Sequence, residues 1–170
     1  IVLRQVGRSR QSRIPLTLVL DSIRSLLNVG SIFRIADGLG VEHVWLCGIT
    51  GYPPQGGISK TALGAEESVA WTHHRDIICV IKDLKKRGYV IVSLEQVEGA
   101  IACEEYIPGQ RPVALVVGNE IDGVSDDVLA LSDVAIEIPM QGVKNSLNVG
   151  VACGIAVSHI RRAILRRDSE

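Results

Sequence analysis

Apolar positions along the chain alternate between two spacings. Dense β-branched runs at Leu16–Leu20, His43–Cys47, Tyr89–Leu94, Val113–Val117 and Val134–Ile138 predict strands, and Val69–Trp71 predicts a shorter one. Between the first two runs, Val29, Ile32, Phe33, Ala36 and Leu39 recur at helical spacing, with Gly38 and Gly40 as stop signals. Ile77, Ile78, Ile81 and Leu84 mark a second helix ending at Gly88, and Ser125 before two aspartates opens a short third one. Ser146 to Arg166 reads as the final helix. Strands alternating with helices predict an α/β domain with a mostly parallel sheet flanked by helices.

The last helix begins with unusually small residues, Gly150, Ala152, Cys153, Gly154 and Ala156. Glycine inside a helix costs up to about 1 kcal/mol against alanine, so this stretch is expected to lie where another backbone comes close. Only 4% of residues are aromatic, so Val, Ile, Leu and Ala must build the core. No run approaches the roughly 18 apolar residues of a membrane span, and no secretory signal is apparent. Cys47, Cys79, Cys103 and Cys153 stand apart beside apolar runs and are expected to be reduced and buried, which suits a cytoplasmic protein. The net charge of −1 gives no global hint of nucleic acid, but basic residues gather at both ends: Arg4, Arg8, Arg10 and Arg13, then Arg161, Arg162, Arg166 and Arg167.

Three polar clusters follow three of the strands: Asn28-Val-Gly-Ser-Ile-Phe-Arg34, Gly118-Asn119-Glu120-Ile-Asp-Gly123, and the stretch from Pro139 through Met140, Ser146 and Leu147 to Asn148. Ligands of open α/β sheets bind outside the carboxyl ends of the strands, so three clusters at one edge form a candidate site. Each has a plainer reading as well: Asn28 as a helix cap, Gly118–Gly123 as a turn, Asn148 as a partner of a neighbouring loop. Arg34 is harder to explain away, since it has no acidic partner at i±4. No phosphate-binding glycine fingerprint, nucleophile elbow or zinc-spaced His/Cys grouping is present, so no metal is expected. His43, His73, His74 and His159 are expected to be structural or at the surface.

At these clusters the sequence resembles the SpoU/TrmH family of SPOUT-class RNA 2′-O-ribose methyltransferases, with a further likeness from Lys60 to Glu66. Motif order and spacing agree from about residue 16 to about 160. The resemblance implies a single domain over residues 1–170, with a basic segment at 1–15 and a deep C-terminal trefoil knot at roughly 113–165, a topology that periodicity alone would never suggest. It implies an enzyme that takes a methyl group from S-adenosyl-L-methionine to a ribose 2′-hydroxyl of tRNA or rRNA. Leu94, Gly118, Asn119, Ile138, Met140, Ser146 and Leu147 would hold the cofactor. Arg34, Asn28, Glu120, Ser146 and Asn148 would be catalytic, Arg34 either accepting the proton or remaining a charged stabiliser. The family implies a homodimer acting on RNA, with no DNA or membrane. About fifteen residues precede the first predicted strand, so RNA is expected to be gripped by the catalytic domain, the dimer groove and the arginine-rich ends. The alternatives are a non-catalytic RNA-binding paralogue of the same fold, a base-nitrogen RNA methyltransferase, and a nucleotide-dependent oxidoreductase that would lack its glycine fingerprint.

Overall fold

The structure, a computed structural model, describes residues 12–169. In chain order the elements are β1 (Ile14–Asp21), α1 (Leu26–Leu39), β2 (Val41–Cys47), α2 (Gly56–Ala62), α3 (Ala65–Ser68), β3 (Ala70–His74), α4 (Ile77–Lys86), β4 (Val90–Leu94), β5 (Ile101–Ala102), β6 (Val113–Val117), α5 (Asp126–Leu131), β7 (Val134–Glu137) and α6 (Val149–Arg167). The seven strands form one sheet in the order β3-β2-β1-β6-β4-β7-β5. Every pairing is parallel. All carboxyl ends therefore face one edge, where the three polar clusters begin.

Alternation along the strands divides the core between the two faces. Leu16, Leu18, Leu20, Leu115 and Val117 face α1, α2 and α6. Val19, Ile91, Ala114 and Val116 face α4 and α5. Burial on both sides accounts for the nearly continuous apolar runs of β1 and β6. Among the described residues, no helix is long and apolar enough to cross a membrane.

The predicted strands are all present, Val113–Val117 with unchanged ends. Several expectations need correction. The final helix begins at Val149, not Ser146, because Asn148 takes the capping position and its Oδ1 accepts from the amides of Gly150 and Val151. Asn28 lies inside α1, whose cap is Ser25. Ser125 sits at the start of α5, but its side chain makes no capping hydrogen bond. Cys79 is exposed on α4 and donates to Asp76 rather than joining the core; the other three cysteines are buried. His73 and His74 fall on β3, so they point to opposite faces of the sheet. β1 begins at Ile14, and Arg4, Arg8 and Arg10 of the basic segment lie outside the described residues. Arg13 bonds the carbonyls of Val41 and Ser68 and pairs with Asp37, which makes it a local strut.

Of the small residues of α6, Gly150, Cys153 and Ala156 are buried and Ala152 and Gly154 half-buried, and the glycines face side chains rather than another backbone. A Cβ on Gly154 would sit 3.3 Å from Ile35 and one on Gly150 3.5 Å from Ser31, so the helix lies close against α1. A closer approach occurs at Gly30, where a Cβ would meet the Ile58 carbonyl at 2.2 Å. The glycine of the first cluster thus lets α2 lie directly on α1, and Thr61 Oγ1 donates to the Leu27 carbonyl across the same contact at 2.8 Å.

Candidate active site

One cleft opens at the carboxyl edge of the sheet, and a second lies between α1, α2 and the start of α6. The larger, about 650 Å³, is lined by the ends of β4, β6 and β7 and the start of α6. It contains Leu94, Gly118, Asn119, Ile138, Met140, Ser146 and Leu147, all seven positions expected to contact a cofactor, together with Glu120 and Asn148. Its size falls in the range of small-molecule sites, about 300–1,000 Å³. Leu147 is 40% and Ile121 69% exposed, large apolar side chains that a flat ligand at this lip would cover.

The smaller cleft, about 520 Å³, is lined by Ser31, Arg34, Ile35, Lys60, Thr61, Asn148, Gly150 and Val151. Arg34 and Lys60 are exposed. Neither takes part in an ion pair among the described residues. Asn148 borders both clefts.

Glu120 joins the second cluster to the first. Its carboxylate accepts from the backbone amides of Arg24 (3.0 Å) and Ser25 (3.2 Å) and from Asn28 Nδ2 (3.0 Å). It therefore sits at the N-terminal end of α1, where unpaired amides and the helix dipole favour an anion. Asn28 Oδ1 in turn accepts from Asn148 Nδ2 at 3.0 Å, which brings in the third cluster. Segments 92 and 120 residues apart thus share one hydrogen-bond chain. Partial burial pushes the Glu120 carboxyl up, but bonds from the Arg24 amide, the Asn28 side chain and the Ser25 amide outweigh it and leave the group below its ordinary 4.5. A depressed carboxylate stabilises the fold above its unfolded value and loses that contribution as pH falls through the folded one. Glu120→Gln should therefore lower the melting temperature near neutrality, with the gap to wild type closing as pH falls from the ordinary carboxylate value of 4.5 through the lower folded one. A gap independent of pH, measured by thermal unfolding across that range, would assign the effect to packing instead.

The loop after β6 is fixed internally too. Asn119 Oδ1 accepts from the amides of Ile121 and Asp122, both at 2.9 Å, and Glu95 Oε2 accepts from the Val124 amide at 2.8 Å. A Cβ on Gly118 would fall 2.0 Å from the Gly123 carbonyl carbon, so only glycine fits there. Glu95 escaped the sequence reading, and Thr61 entered it only within the Lys60–Glu66 likeness, with no role assigned. Glu95 follows a buried strand with no motif around it, and Thr61 acts only once α2 rests on α1.

Of the expected catalytic residues, the structure places Glu120, Asn28 and Asn148 in one chain, Ser146 on the larger cleft, and Arg34 on the smaller one. The parallel sheet thus carries one cleft of about 650 Å³ at its carboxyl edge and, beside it, a second lined by Arg34 and Lys60. The chain belongs to the SpoU rRNA Methylase family, whose profile matches residues 15–158. A tRNA (guanosine(18)-2'-O)-methyltransferase of Thermus thermophilus is 32% identical over 164 residues, spanning 96% of this chain and 82% of its own. The crystal structure of the Aquifex aeolicus TrmH/SpoU tRNA modifying enzyme superimposes with a TM-score of 0.84 at 26% identity, over 94% of this chain and 80% of that one. The SpoU methyltransferase AviRb of Streptomyces viridochromogenes, solved in complex with AdoMet, shares the fold at a TM-score of 0.80 and 24% identity, over 95% of this chain and 63% of its own.

Proposed function

We propose that this chain methylates a ribose 2′-hydroxyl of tRNA or rRNA, with S-adenosylmethionine in the larger cleft and the reacting nucleotide in the smaller. The observation that carries this assignment is Asn148, the side chain shared by both clefts and so the place where donor and acceptor meet. The lining suits the cofactor: Leu94, Ile138 and Leu147 offer apolar cover for an adenine, and the backbone around Gly118 and Met140 offers polar groups to its edge and to the ribose.

Bound S-adenosylmethionine supplies an electrophilic methyl group on a sulfonium that leaves as a neutral thioether. The chain's own residues do the rest by alignment. Glu120, through Asn28, fixes the side chain of Asn148 at the junction. Ser146 offers a hydroxyl at the rim of the larger cleft. Arg34 presents a planar fork of N–H donors to the smaller cleft. It would stabilise negative charge on a ribose 2′-oxygen whose proton has passed to solvent. Lys60 in the same cleft supplies a phosphate contact.

In the same reading the protein works in the cytoplasm as a homodimer, and the chain from residue 113 to 165 forms a trefoil knot within one domain. The knot is supported by β6 and β7 entering the sheet on either side of the earlier β4. Sedimentation at micromolar concentration is expected to give a dimer; a monomer would remove the partner subunit from the reading.

The reaction is tested by transfer of radiolabelled methyl from S-adenosylmethionine to unmodified tRNA and rRNA, followed by alkaline hydrolysis. Label in hydrolysis-resistant dinucleotides is the expected result. Label released as base-methylated mononucleotide, or no transfer to either pool, would overturn it.

A further inference from the structure

Beyond the two clefts, a third group of side chains converges at the far edge of the sheet. Cys103 follows the two-residue strand β5 and is buried; Glu104 beside it is exposed; His159 lies half-buried on α6. One donor atom from each lies within 4.8 Å of the other two. We propose that Cys103, Glu104 and His159 form a binding site for a divalent cation of the zinc class, with a fourth position left to water.

The donor set fits that chemistry. A thiolate, an imidazole and a carboxylate are the three protein ligands zinc accepts, whereas magnesium and calcium take oxygen alone. Bond lengths of about 2.0–2.3 Å in a tetrahedron set ligand-to-ligand edges of about 3.5 Å. Cys103 Sγ and Glu104 Oε2 already stand 3.5 Å apart. Closing the third vertex needs a shift of about 1 Å, within reach of an exposed glutamate and a half-buried histidine by small side-chain rotations.

The backbone beneath the site is held in place. The Cys103 amide donates to the Glu137 carbonyl of β7 at 2.8 Å, and the Glu105 amide donates to the Ala102 carbonyl at 2.9 Å. A cation arriving at the site displaces the thiol proton to solvent as the sulfur–metal bond forms.

Its place in the fold gives the ion a structural role. β5 is the outermost strand, joined to the sheet by one short pairing with β7. An ion bridging Cys103 and His159 would pin that edge to α6. Both β7 and α6 wall the larger cleft, through Glu137 and Ala152, and Ala152 lies about 10 Å along the helix from His159.

The test uses the full chain stripped with a chelator and titrated with Co2+, then Zn2+. The expected result is one equivalent of tetrahedral Co2+ with a thiolate-to-cobalt charge-transfer band, displaced by Zn2+, and a higher melting temperature with Zn2+ bound. Cys103→Ser should lose the charge-transfer band, while His159→Gln and Glu104→Gln should bind more than about tenfold more weakly, the loss that removal of even an outer-shell partner can cause. Cys79→Ser, which alters the exposed thiol elsewhere, should behave as wild type. Glu104→Gln changes only an exposed side chain, so it keeps the test readable even if Cys103→Ser misfolds. Absence of a thiolate band in the wild type, or its persistence in Cys103→Ser, or unchanged affinity in both Glu104→Gln and His159→Gln, would overturn the site.

Discussion

Arg34→Ala is expected to reduce methyl transfer by about 10²–10³-fold, the cost of removing one charged or polar group aimed at developing negative charge. Cofactor affinity should stay at the wild-type level. The two effects separate because Arg34 lines the smaller cleft only, while the positions assigned to the cofactor line the larger. Arg34 is also exposed and caps nothing, so its loss should leave the melting temperature unchanged. Single-turnover kinetics beside calorimetric titration with S-adenosylmethionine would measure both quantities. Arg34→Lys refines the result: a lysine that restored most of the rate would show that charge suffices, whereas failure would require the planar fork of guanidinium donors. Equal activity in Arg34→Ala would remove the residue from the mechanism.

Gly118→Ala should have the opposite signature, losing cofactor binding and stability together. A Cβ there would lie 2.0 Å from the Gly123 carbonyl carbon and 2.2 Å from the Val124 nitrogen, and backbone atoms cannot swing aside as a side-chain end can. Relief requires the whole Asn119–Gly123 turn to move, which would break the bond from the Val124 amide to Glu95 and shift Glu120 away from α1. Overpacking of this kind costs about 1–3 kcal/mol, and the displaced turn is also a wall of the larger cleft. Gly142→Ala is the matched control. Nothing lies within 4 Å of that position, so the substitution should be silent in both thermal unfolding and titration.

These two residues show how unevenly the site could be read from sequence. Arg34 was identifiable because it breaks its own pattern, a lone cation with no helical partner. Gly118 reads from spacing as part of a turn and from the resemblance as a cofactor residue; its close approach to Gly123 depends on how the chain doubles back. The strands were legible because burial on both faces leaves long apolar runs. β5 was not, since two residues carry no period, and neither was α2, which opens on two glycines and is held by its contact with Gly30. The chain from Glu120 through Asn28 to Asn148 joins three loops whose adjacency follows from strand order rather than from spacing. The same holds for His159 and Cys103, which the sequence offered only as a surface histidine and a buried thiol. The start of α6 was misplaced at Ser146 because Asn148, two residues on, takes the capping position.

The parallel pairing of β1 with β6 also bears on how the molecule is made. Leu16 pairs with Val113, so one side of β1 gains its neighbour only after roughly a hundred further residues have been synthesised. At about 5–20 residues per second, that edge waits for roughly 5–20 s on the ribosome. Throughout that interval a nearly all-apolar strand presents unpaired amides and carbonyls, the template on which other chains aggregate. The centre of the sheet, the most protected place in the finished enzyme, is thus the most vulnerable during its synthesis.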